Sequence, residues 1–146
     1  MRWLGKLASN LAVLAAALAM VACKPEANTA APDPTKLPIV VRASEDSNGG
    51  RPVYVIVRVV DEKGFVEDGY REMMALVVEP DASVIAQFLV FPGMVALDDI
   101  ALAELPKVVG VYCLFTEPKE GAWKVMFEGA EVIDVSVNKD EITVRE

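Results

Sequence analysis

Two cysteines, one adjacent pair of aspartates and one run of oxygen-bearing side chains are the places in this 146-residue chain where residue type and spacing could suggest chemistry. There is no histidine. That removes Ser-His-Asp and Cys-His catalysis, histidine-ligated zinc or haem, and imidazole-based pH switching. Asp98 and Asp99 are sequence neighbours, and neighbouring side chains on a strand point to opposite faces, so these carboxylates would not converge on one metal or one proton. Ser44, Glu45, Asp46, Ser47 and Asn48 offer consecutive oxygen ligands ahead of Gly49 and Gly50. The run lacks the spacing and closing Glu of an EF-hand loop, so it reads as a solvated, flexible loop. No glycine-rich phosphate loop, GxSxG or CxxC is present. The residues therefore suggest no catalytic residue, no metal site and no cofactor.

The two cysteines have different surroundings. Cys113 lies in the apolar run Val108–Phe115, typical of a buried strand, whereas a reactive thiol needs an exposed, electropositive setting. It reads as a structural side chain. Cys23 follows a basic start (Arg2, Lys6) and the 12-residue apolar run Leu11–Ala22. That run suits a signal-peptide core and falls short of the roughly 20 apolar residues of a free membrane span. The ending Met20-Val21-Ala22-Cys23 resembles a bacterial lipobox, with Met20 where leucine is usual. In that reading Cys23 is acylated and becomes the first residue of the mature chain. Lys24 then occupies the sorting position, and the absence of aspartate there favours the outer membrane, as it does in lipoproteins generally. Residues 24–36 contain three prolines and no large apolar side chain, as a flexible tether does. The expected organisation is a signal peptide over 1–22, a lipidated tether over 23–36 and one domain over 37–146.

Charge narrows the partners. The chain has 14 Lys+Arg against 22 Asp+Glu, a net charge of −8, and removal of 1–22 deletes Arg2 and Lys6 to leave −10. Such a chain repels phosphate backbones, which argues against nucleic acid as a partner.

Whatever these residues do, strands must position them. From residue 37 the sequence alternates short β-branched segments with Gly, Pro, Asn and Asp clusters. Strands are predicted over Leu37–Ala43, Pro52–Val60, Ile85–Phe91, Val108–Phe115, Trp123–Glu128, Val132–Val137 and Glu141–Arg145. Pro52–Val60 is apolar on both faces apart from Arg58, which suits a central strand covered on each side. Asp61–Gly64 reads as a turn. In the last two strands Ile133, Val135, Val137, Ile142 and Val144 are expected to face inward. Trp123 is expected to head an inward row with Val125 and Phe127. Val66, Tyr70, Met73/Met74 and Val77 recur at helical spacing, which predicts one short amphipathic helix with the Met-Met pair as packing filler. The fold class is all-β: a sandwich of about seven to eight strands with a short helical insertion.

Several features in order resemble one family. A lipobox and tether precede a strand and a polar loop ending Asn48-Gly49-Gly50-Arg51-Pro52. Val53-Tyr54-Val55-Ile56-Val57-Arg58-Val59 follows, then Phe65, Tyr70, Phe88-Leu89-Val90-Phe91-Pro92-Gly93, Val109-Gly110-Val111 and Trp123-Lys124. The order is similar to that of TssJ (SciN, VasD), the outer-membrane lipoprotein of the bacterial type VI secretion system. Val60-Asp61-Glu62, Met94 and Thr116-Glu117-Pro118 depart from its usual pattern. The resemblance implies a transthyretin-like β-sandwich that binds the periplasmic part of the inner-membrane component TssM. It implies that the contact is made through the first interstrand loop, here Ser44, Glu45, Asp46, Ser47, Asn48, Gly49, Gly50 and Arg51. The competing reading is a lipid-anchored module for a small ligand or carbohydrate, which would need a concave pocket with convergent polar groups. An envelope hydrolase would need a nucleophile motif that the sequence lacks.

Overall fold

The computed structural model describes residues 35–145. The signal segment, Cys23 and the tether up to residue 34 lie outside the described residues. Among the described residues, eight strands form two four-stranded sheets. The first contains β1 (Thr35–Ala43), β4 (Val95–Leu102), β7 (Ile133–Val137) and β8 (Ile142–Val144), in the order β4-β1-β7-β8. The second contains β2 (Val53–Val59), β3 (Val84–Val90), β5 (Val108–Leu114) and β6 (Lys124–Glu128), in the order β3-β2-β5-β6. All pairings are antiparallel except β1 with β7.

Alternation builds the core. Leu37, Ile39 and Val41 of β1 share the inner face of their sheet with Ile133, Val135 and Val137 of β7. On the inner face of the other, Val55 and Val57 of β2 pair with Cys113 and Val111 of β5, and Val53 and Val109 lie on the same face. All twelve are 2% exposed or less, and each such side chain contributes about 1.5–3 kcal/mol by leaving water. Burial pushes the Cys113 thiol well above the usual thiol range, so it stays protonated and packs as a small apolar group.

Several details depart from expectation. Thr35 and Lys36, grouped with the tether by composition, extend β1 and pair with Leu102 and Ala101. Sequence reading set out no strand at Val95–Leu102, yet this is β4, an edge strand whose Asp98 and Asp99 keep one margin of the sandwich charged. Val144 aligns with inward Val135, but β8 is a three-residue edge strand and leaves Val144 46% exposed.

The helical segment is two helices rather than one, α1 (Glu62–Glu67) and α2 (Tyr70–Val78). The expected turn at Asp61–Gly64 is the start of α1. Asp61 caps it by accepting the Gly64 N–H at 2.6 Å. The helix ends because Asp68 leaves helical geometry, and Glu72 then accepts the Gly69 N–H at the start of α2.

These helices cover the outer face of the β2–β5 sheet, so β2 is an internal strand with a layer on each side. Ile56, Tyr112 and Met73 are fully buried there. Trp123 is buried as expected, but its ring packs on Tyr70 and Tyr112, with centroids 5.2 and 5.9 Å away, in the helix-facing layer. It precedes β6 and so escapes that strand's alternation. A charged cluster pins the layer down. Arg58 lies 3.0 Å from Asp68, their side chains being only 17% and 13% exposed, and Tyr112 Oη donates to the other Asp68 oxygen. Burial, then this hydrogen bond, holds the Tyr112 hydroxyl above its ordinary range. Lys124 donates to the carbonyls of Phe65 and Asp68, closing the end of α1. Tyr112 lies back over Gly110, where any Cβ would collide with its ring, so glycine is required there.

Candidate functional site

The β1–β2 loop stands at the end of the sandwich where the β3–β4, β5–β6 and β7–β8 connections also meet. It is not the loose, solvated loop that its composition suggests. Ser47 and Asn48 are buried, at 0% and 5% exposure, and Ser47–Gly49 forms a short 3₁₀ turn. The Ser44 N–H donates to Val137 O, while Ser44 O accepts from the Ser47 and Gly93 N–H groups. The Gly49 and Gly50 N–H groups close the turn on Asp46 O and Ser47 O.

Asn48 organises this end. Its backbone takes φ +48°, a left-handed conformation that Asn tolerates better than most residues. Its Nδ2 donates to Pro52 O and its Oδ1 accepts the Thr116 N–H, both at 2.7 Å. Its own N–H donates to Asn138 O at 3.2 Å. One side chain thus ties the β1–β2 loop to its own exit and to the β5–β6 loop, while its backbone reaches the β7–β8 turn. Lys119 and Asp140 add an ion pair between the latter two loops.

Of the residues singled out from sequence, Glu45, Asp46, Gly49, Gly50 and Arg51 are presented to solvent, Ser44 is half-buried, and Ser47 and Asn48 form the loop's foundation. Residues not among the expected contacts complete the surface: Thr116, Glu117, Lys119, Lys139 and Asp140. Two open grooves flank Asn48 and Thr116. One, of about 300 Å³, is charged and includes Arg51, Lys119 and Lys139; the other, of about 470 Å³, is apolar and includes Tyr54, Met74 and Leu114. Asp98 and Asp99 lie elsewhere, on β4, where Asp98 accepts the Asp99 N–H. Among the described residues no three His, Cys, Asp or Glu side chains group to hold a metal. The arrangement is equipped for recognition by shape and charge.

The family model described as IglE, N-terminal domain, matches residues 54–138, more than half of the chain. The chain belongs to the IglE N-terminal domain family. That match runs from Tyr54 in β2 to Asn138, whose carbonyl receives the Asn48 N–H, so it takes in the helical layer, nearly all of the β3-β2-β5-β6 sheet and β4 and β7 of the other, and leaves out β1 and β8. Among proteins of curated function, none matches by sequence. Solved structures match the fold. The type VI secretion lipoprotein TssJ1 from Pseudomonas aeruginosa overlays with a TM-score of 0.59 at 17% identity, covering 77% of this chain and 98% of that one. Serratia marcescens Lip, titled a membrane-bound component of the type VI secretion system, gives 0.59 at 14% identity, covering 77% and 97%. A chain from a structure titled for the TssM C-terminal domain (869–1107) from EAEC gives 0.62 at 23% identity, covering 76% and 98%. This member of the IglE N-terminal domain family thus has the β-sandwich fold seen in TssJ1 and Lip.

Proposed function

We propose that this chain is a structural component of the type VI secretion system. In this reading it is lipidated at Cys23, held at the periplasmic face of the outer membrane, and anchors the envelope complex by binding the periplasmic part of TssM. It works as an assembly protein rather than an enzyme. The observation that carries the reading is the overlay on nearly the whole of TssJ1 and Lip, 98% and 97% of their chains. The lipobox-like Met20–Cys23 and the Ser44–Arg51 loop agree with it. So does the structure titled for a TssM domain, one chain of which has this fold.

The loop geometry specifies the test. Replacing the whole of 45–50 would remove Asn48 and disturb the fold, so the informative variant is Glu45→Ser/Asp46→Ser/Arg51→Ser, which spares the buried turn. In a pull-down with the C-terminal periplasmic fragment of the cognate TssM, retention should drop by at least tenfold, about 1.4 kcal/mol. The melting temperature should stay within a few degrees. Undiminished retention by the folded variant would move the contact away from the loop.

A further inference from the structure

We propose that the grooves on either side of Asn48 form one two-part docking site for an extended partner segment, taking a carboxylate on one side and an apolar side chain on the other. The inference rests on the partner-binding reading above and specifies the chemistry of that partner.

Charge carries the first half. The chain as a whole is at −8, yet the charged groove gathers Arg51, Lys119 and Lys139 against Glu117 and Asp140. Lys119 and Asp140 neutralise each other in an ion pair. Arg51, Lys139 and Glu117 make no ion pair among the described residues, which leaves two cations and one carboxylate uncommitted. In a strongly acidic protein this is a local reversal of sign, and the group that complements it is a carboxylate.

The second half is apolar. Tyr54 and Met74, 44% and 51% exposed, face the neighbouring groove with Pro52, Val77 and Leu114 between α2 and the ends of β2 and β5. Asn48 and Thr116 line both grooves. The Asn48 amide is spent on Thr116 N–H and Pro52 O, so this ridge is a fixed wall rather than an additional donor. Both grooves are open, which suits side chains projecting from a backbone laid across the ridge better than a free small molecule. Asn48 bonds to both Thr116 and Asn138, and the Ile142 N–H donates to Ala122 O, so the loops are joined and the site is preformed.

The test is calorimetric titration of the full chain, in detergent, with the same TssM fragment. Three forms are compared: unsubstituted chain, Arg51→Glu/Lys139→Glu, and Met74→Asp, each with its melting temperature. Both variants should keep their fold, because all three side chains are exposed, and each should lose at least tenfold in affinity. Raising the salt concentration should weaken the unsubstituted chain more than the charge-reversed one, since screening acts on the attraction that reversal has already removed. If the unsubstituted chain binds and the charge-reversed variant binds as tightly with the same salt dependence, the docking site is refuted and the assembly reading stands. Full affinity in Met74→Asp would refute the apolar half. If the unsubstituted chain does not bind, the assembly reading itself fails.

Discussion

Asn48 holds its end of the sandwich together with two hydrogen bonds from one buried amide. Asn48→Ala would leave Thr116 N–H and Pro52 O without partners, and an unpaired buried polar group costs about 1–3 kcal/mol. The alanine would also occupy a left-handed backbone position at Asn48. Equilibrium denaturation should show a loss in that range, far more than Glu45→Ser produces on the solvent side of the same loop. Little of this was legible in advance. The string Ser-Glu-Asp-Ser-Asn-Gly-Gly is polar, and composition carries no sign that Ser47 and Asn48 turn inward to meet a strand end 68 residues away. Arg58 was the more readable residue. A single charge on an otherwise apolar strand must be paired if buried, and the structure supplies Asp68.

The helical layer depends on that pair. Asp68 lies between α1 and α2, and its carboxylate serves Arg58 and Tyr112 at once. Asp68→Ala would strand the Arg58 charge, with a cost of about 3–5 kcal/mol for breaking a buried pair. The loss should be local as well as global: amide exchange should accelerate in Glu62–Val78 more than in β1 or β7, which touch neither partner. Uniform loss of protection across both sheets would contradict the clamp. At this scale the sequence was most informative where period and burial agreed, as in β2, β5 and β7. It was least so in β4, where Leu97-Asp98-Asp99 interrupts the apolar pattern because an edge strand needs charge more than core. The single expected helix became two because tertiary demand on Asp68 overrides the helical period that runs through it.

At the scale of the whole molecule, the proposed function requires lipidation at Cys23. Several acyl chains on Cys23 would anchor it stably, where one chain is marginal. Cys23→Ser should therefore release the chain from the outer-membrane fraction into the soluble periplasmic fraction without lowering its melting temperature. Continued fractionation with the outer membrane would contradict the anchor. Residues 1–34 bear on the proposed anchor; the proposed grip on an inner-membrane partner concerns the domain over 35–145. The decisive measurement is a calorimetric titration of the unsubstituted chain with the C-terminal periplasmic fragment of the cognate TssM. A TssM-anchoring role predicts saturable one-to-one binding that weakens as salt is raised. No detectable heat or complex across the concentration range in which both proteins are folded would contradict it.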